Sequence, residues 1–345
     1  MSRIFVRGVG AVSPAGWGVE PLLAAVEGAQ PLPVKELSRP GWKKPLLARA
    51  VPPPDPRPVF FSHARLRRSS PISQYAVAAA LEALGDDVAR VNEGSLRLGI
   101  VVCVMSGCVN YSRRFYDEVL RDPPTASPLV FPETVFNAPG SHLAALLGTN
   151  AINYTLVGDP GTFVQGLALG AQWLDEGLVD GCLVVGAEEV DWVTADAFRL
   201  FTRRLVLSEG AGAIYLRGDA GAGCGVELAA VTDSQLFWDR AGRVAAASLV
   251  AKQLCSASAD ALCDSLQDVP LLDEPDAAAW ADWRGARLSP KKVLGEGLMA
   301  ASGWQCVLAS AAVQRGEARE ALVSVVGCNQ QAIGARFQAV PEKAV

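Results

Sequence analysis

The chain has 345 residues, half of them hydrophobic, and a mean hydropathy of +0.22, enough apolar material for one large domain or two closely packed halves. Lys and Arg total 31 against 36 Asp and Glu, a net charge of −5 that gives no electrostatic reason to expect nucleic acid. With only two histidines, His63 and His142, a His-rich metal site is excluded.

From the N-terminus, "RIFVRGVGAVSP" predicts a buried strand leaving through a Gly/Ser/Pro turn, followed by a helix over "VEPLLAAVEGA". "VPPPDPRPV", Val51 to Val59, predicts an extended loop. "SPISQYAVAAALEAL" predicts a helix capped by Ser70 or Ser73, and "LRLGIVVCVMSG" a strand covered on both faces. "VNYSRRFYDEVL" predicts an amphipathic helix with Cys108, Ser112, Phe115 and Val119 near one face. "NYTLVGDPGTFVQGLALGAQWLDEG" predicts strand, tight turn and helix, with Asp159 as N-cap and Pro160 at the first helical position. "GCLVVGAEEV" and "EGAGAIYLRG" are strands. After "GDAGAGCG" the pattern repeats: strand "VELAAVTDS", helix "RVAAASLVAKQLCSA", short strand "DALCDSLQ", loop "VPLLDEPDAAAW" entering a helix, buried helix "GLMAASGWQCVLASAAVQRG" and a closing strand pair. The expectation is two similar α/β halves, 1–220 and 221–345.

The eight cysteines, Cys103, Cys108, Cys182, Cys224, Cys255, Cys263, Cys306 and Cys328, form no C-x-x-C pair and are expected to be reduced thiols. The N-terminal apolar run is too short for a signal-peptide core and no run reaches membrane-spanning length. A soluble cytoplasmic protein without cofactor, metal or membrane contact is therefore expected. "GDPG" is a poor phosphate loop, because Asp159 would face the anion and no Gly-Lys-Ser follows. "GVGAVSPAG" is a poor dinucleotide fingerprint, because of Pro14.

Several stretches, in order, resemble the β-ketoacyl synthases of the thiolase fold. "GVGAVSPAGWGVE" resembles their opening strand and turn, "FPETVFNAPGSHLAALLG" the segment before the nucleophile strand, and "NYTLVGDPGTFVQ" the nucleophile elbow. "LSEGAGAIYL", "SPKKVLGEGLMAASG" and "VSVVGCNQQA" resemble the later glycine-rich strand, the Lys/His segment and the closing turn. The resemblance implies an α/β fold with five layers, αβαβα. It places Pro160 at the catalytic Cys, Ser265 at one active-site His and Glu296 at the other, with Lys291 retained and Val325 at a gating Phe. Proline has no nucleophilic atom and no N–H to help bind an oxyanion. "FRLFTRR" also runs directly into "LVLSEGAG", where the family has a loop that helps carry the substrate arm.

The resemblance therefore implies a chain-length-factor-like subunit that pairs with an active ketosynthase in type II polyketide or polyene-type biosynthesis, and meets an acyl carrier protein through that complex. Its pairing strand would be Ala151, Ile152, Asn153, Tyr154, Thr155, Leu156 and Val157. Its tunnel lining would be Ser112, Phe115, Tyr116, Val119, Val135 and Phe136, with the two aromatics Phe115 and Tyr116 as floor. Two other readings stay open: a diverged acyltransferase or hydrolase using Glu296 or Cys328, and a homodimeric scaffold. "HARLRRSS" is a candidate dock for an acidic carrier protein.

Overall fold

The computed structural model describes residues 2–39, 41–200, 202–219 and 225–340. Cys224 and the expected boundary between residues 220 and 221 lie outside them. The chain forms β1 (Phe5–Ser13), β2 (Gly16–Trp17), α1 (Val19–Gly28), β3 (Lys35–Leu37), β4 (Leu46–Arg49), α2 (Pro71–Leu84), α3 (Asp87–Asn92), β5 (Leu98–Val104), α4 (Val109–Arg121), α5 (Ala138–Leu146), β6 (Asn153–Val157), α6 (Thr162–Asp175), β7 (Gly181–Glu188), α7 (Trp192–Arg199), β8 (Leu207–Ser208) and β9 (Gly210–Arg217). It continues with β10 (Val226–Val231), β11 (Gln235–Leu236), α8 (Arg240–Leu254), β12 (Ala261–Cys263), α9 (Pro270–Ala279), β13 (Ala286–Leu288), α10 (Pro290–Leu294), α11 (Met299–Gln314), β14 (Glu320–Val326) and β15 (Gln331–Ala339).

The main sheet runs β6-β5-β7-β9-β1-β10-β15-β14-β12-β13. Its two ends repeat one topology. β5 is parallel to β6 and β7, β7 is antiparallel to β9, and β9 to β1; β12 is parallel to β13 and β14, β14 is antiparallel to β15, and β15 to β10. The halves join where Phe5 and Val6 pair with Glu227 and Val226. A small sheet, β3-β4-β8, lies apart.

Helices complete five layers, as the resemblance implied. α2 packs on β1, β7 and β9, while α8, backed by α9, packs on β14 and β15. Between the halves, α11 touches β1, β7 and β9 as well as β12, β14 and β15, and α6 lies beside it. Residues Met299–Val313 are all buried, which suits a helix apolar on every side. β5 and β7 are likewise buried throughout, as strands covered on both faces must be. α11 reaches β9 through two glycines: a Cβ on Gly212 would lie 2.5 Å from the Gly303 carbonyl carbon.

Three local expectations are corrected. Neither serine caps α2 through its side chain. The Ser70 hydroxyl and the Ile72 N–H both donate to Glu189, which lies across the sheet end and serves the helix start instead. "PLLD" is not loop: α9 begins at Pro270, and the Asp273 carboxylate accepts the N–H groups of Gln267 and Val269 just before it. The third correction, at Asp159, concerns the site.

Candidate functional site at the elbow between β6 and α6

α6 begins at Thr162, two residues after Pro160, and its first turn is closed by the Asp159 main-chain carbonyl, which accepts from Thr162 N–H at 2.8 Å. The Asp159 carboxylate is therefore not the N-cap, and Pro160 is not the first helical residue. The reason is competition from a distant turn. Asp159 Oδ2 accepts the N–H groups of Gln330 (3.0 Å) and Gln331 (3.1 Å), and Cys328 Sγ donates to Oδ1 at 3.6 Å. Gln331 Nε2 donates in turn to Thr162 Oγ1 at 3.0 Å. The turn after β14 is thus clasped onto the elbow. The clasp needs Gly327, where a Cβ would lie 1.8 Å from Asp159 Oδ2. Arg243 of α8 backs it, donating from Nε to Gly327 O at 3.1 Å. Burial raises the Asp159 carboxyl pKa above the ordinary aspartate value, against the pull of its donors.

Ser265 follows β12 and is buried in a closed network. Its hydroxyl donates to Ser324 O (2.9 Å) and accepts from Val326 N–H (3.1 Å), while its own N–H goes to Asp276 (2.8 Å). Asp276 also accepts from the Ser324 hydroxyl, and Gln305 of α11 donates to Asp264 O and Ser324 O. Burial, then the neighbouring Asp276, pushes the Asp264 carboxyl up to about 7.

Glu296 lies between α10 and α11, and its side chain and that of Lys291 are each 1% exposed. Lys291 Nζ donates to Glu296 Oε2 at 2.8 Å, and Leu298 N–H donates to Oε1 at 2.8 Å. The Glu296 main chain is bonded on both sides to the 206–208 segment. Both carboxylate oxygens are thus engaged, one by Lys291 and one by the Leu298 N–H. Cys328 is no activated thiol either: burial and then Asp159 raise its pKa well above the ordinary cysteine value. Val325 is buried in β14.

The expected pairing strand, β6, lies at one edge of the main sheet, with β13 at the other. Tyr154 and Val157 stand 53% and 52% exposed on it, an uncovered apolar edge. Ala151 and Ile152 precede it, half-buried, with Asn153, Thr155 and Leu156 completing the strand. The Asn153 amide donates to Gly140 O, which ties the edge to the start of α5. The expected tunnel residues lie on α4 and in the loop before α5. Ser112 donates to Thr134 O, Phe115 packs on Phe131 with centroids 5.4 Å apart, and Val119 is half-buried. Tyr116, one residue further round the helix, is 62% exposed in the single chain. Val135 and Phe136 are exposed as well, Phe136 lying over Gly107.

The sequence pattern did not single out the carboxylates at the end of β7 and just after it. Glu188 accepts the N–H groups of Met105 and Ser106, Glu189 those of Ile72 and Asn110, and Asp191 pairs with Arg113 at 2.7 Å. Burial pushes Glu188 up to about 8. The available signal was the acid run "AEEVD" directly after an apolar strand, since buried acids must find donors. Arg243 carried no local signal at all.

No family model matches the sequence, and no curated protein is similar to it. Solved structures are similar in fold. The ishigamide ketosynthase/chain length factor matches with TM-score 0.78 over 98% of this chain and 100% of that one, at 18% identity. A β-ketoacyl synthase from Burkholderia phymatum matches with TM-score 0.76 over 99% and 100%, at 16% identity. The chain has the ketosynthase fold. A ketosynthase in complex with its chain length factor, from Xenorhabdus doucetiae, matches with TM-score 0.76 over 98% of each chain, at 15% identity. A type II polyketide synthase acyl-carrier protein in complex with its ketosynthase matches with TM-score 0.76 over 98% and 99%, at 16% identity. Among the described residues no helix of this ketosynthase-fold chain is long and apolar enough to cross a membrane, and no group of three metal-ligating side chains is present.

Proposed function

We propose that this chain is the non-catalytic member of a ketosynthase pair, a chain-length-factor-like subunit of type II polyketide or polyene-type biosynthesis. The observation that carries the reading is the elbow. Pro160 offers neither nucleophile nor N–H, and the carboxylate beside it is spent on holding the closing turn. Ser265 and Glu296, at the two positions given by resemblance to the active-site histidines, are likewise absorbed into closed networks. The two halves are taken as 1–220 and 221–345.

In this reading β6 adds edge to edge to an active ketosynthase, and the partner covers Tyr154 and Val157. Ser112, Phe115, Tyr116, Val119, Val135 and Phe136 then face the shared interface and shape the end of the acyl tunnel. Fold neighbours solved as complexes of a ketosynthase with a chain length factor, and with a carrier protein, support it. Arg65, Arg67 and Arg68 would meet an acidic carrier protein.

Co-expression with a candidate ketosynthase and native mass measurement test the reading. A one-to-one complex lost in Tyr154→Arg is expected. A stable homodimer of this chain that ignores every such partner, or covalent labelling of the isolated chain by an acyl donor, would overturn it. Within a working pair, Phe115→Ala or Tyr116→Ala should lengthen the product; unchanged length in both removes them as the floor.

A further inference from the structure

An open cavity of about 420 Å³ lies in the second half, between the last turns of α8 and α9. Its origin is in the sequence. Ala247, Val250 and Leu254 of α8 are buried in the core, which leaves Ala251 and Cys255 toward the cavity, and α9 ends in Ala278 and Ala279. Side chains this small do not fill the space between two packed helices. The volume falls in the range of small-molecule sites.

Two indoles form one wall. Trp280 and Trp283 meet edge-on, with ring centroids 5.8 Å apart. Trp283 Nε1 donates to Ala286 O at 3.1 Å, and Arg287 Nη2 donates to Trp280 O at 2.9 Å, so the wall is set before a ligand arrives. Trp283 is half-buried, and its open ring surface suits an aromatic ligand. The Trp280 indole N–H is buried with no acceptor among the described residues. An unmet donor on the wall favours a ligand that brings oxygen. Charge sets the rest of the ligand class. At the rim, Asp282 is answered by Arg284 at 3.9 Å, whereas Lys252 is exposed and has no partner among the described residues. One cation is left over for an anion.

We propose that this cavity binds a small aromatic carboxylic acid as its anion, without covalent attachment, its ring against the two tryptophans and its carboxylate at Lys252. The site stands apart from pairing with a ketosynthase, since none of its lining residues lies on β6 or at the elbow. It would remain if the pairing failed, and it could fail in a chain that pairs.

The test titrates the purified full-length protein with 4-fluorobenzoate, followed by fluorine NMR, with circular dichroism to establish that each variant is folded. Cys255 reports the place: it is exposed in the lining, so its alkylation by iodoacetamide, read by peptide mass spectrometry, should slow in step with occupancy. Saturable binding is expected, weakened at least about tenfold in folded Ala278→Trp, which fills the space. Lys252→Gln should weaken the benzoate about threefold, as loss of an exposed ion pair does, and leave fluorobenzene unchanged. No saturable binding, full Cys255 reactivity at saturation, or undiminished binding in folded Ala278→Trp would overturn the site. Fluorobenzene binding as tightly as the benzoate, or benzoate binding unchanged in folded Lys252→Gln, would overturn the anionic class.

Discussion

The turn between β6 and α6 and the turn between β13 and α11 hold equivalent places in the two copies of the topology, yet they are locked by different means. At the first, a single buried carboxylate, Asp159, takes two main-chain N–H groups and a thiol from the turn after β14. At the second, Lys291 and Glu296 form a fully buried ion pair, with one added N–H from Leu298. The clasp joins the elbow to a turn of the other half, whereas the ion pair stays within one connection. Each turn is satisfied where a reactive group would need to be free.

The largest effect should come from breaking the ion pair. Lys291→Met leaves Glu296 buried without its counter-charge, and unfolding by denaturant should show a loss of about 3–5 kcal/mol. Adding Glu296→Gln, which keeps an acceptor for Leu298 N–H, should recover all but about 1 kcal/mol. A double variant as unstable as the single one would mean that the pair does more than neutralise itself. Asp159→Ala should cost less, about 2 kcal/mol, because it leaves N–H groups unpaired but strands no charge. It should also speed hydrogen exchange at Gln330 and Gln331 while leaving the Leu298 amide protected, which is the sharpest test that the two locks are separate.

A separate effect, on the carboxyls outside the two locks, is on pH dependence. Asp264 is raised from 3.8 to about 7 and Glu188 from 4.5 to about 8 by burial. In both, the folded state holds its proton where the unfolded chain has released it. Folded protein thus binds more protons, and stability must fall as pH rises from about 4 to about 8. Thermal melts across that range should show the decline, and Asp264→Asn should flatten its part near Ser265 while leaving the Glu188 part. A melting temperature that instead climbs over this range would mean that these carboxyls are ionised in the fold.

The sequence carried much of the architecture. The unbroken apolar runs at β5 and β7 and the all-round apolar α11 could only be buried elements. The faint repeat of strand pairs became two matching five-strand orders. The pairing of Glu296 with Lys291 was also within local reach, five residues apart along the chain. The Asp159 partners were not, because 171 and 172 residues separate them from the elbow. The same limit hid Glu189, which serves the start of a helix 117 residues earlier, at Ile72.

By itself the sequence determined the order and type of the main elements, which follow from periodicity and chain stiffness, both local properties. The five-layer α/β class and the placing of Pro160 at a nucleophile position came from its resemblance to the β-ketoacyl synthases, and side-chain chemistry then excludes a nucleophile there. Only the tertiary structure decided which donors each buried acid takes, and that β6 is left as a free edge. A carboxylate removed from water binds whatever N–H the fold brings within about 3 Å, and which one that is depends on the packing of elements far apart in the chain.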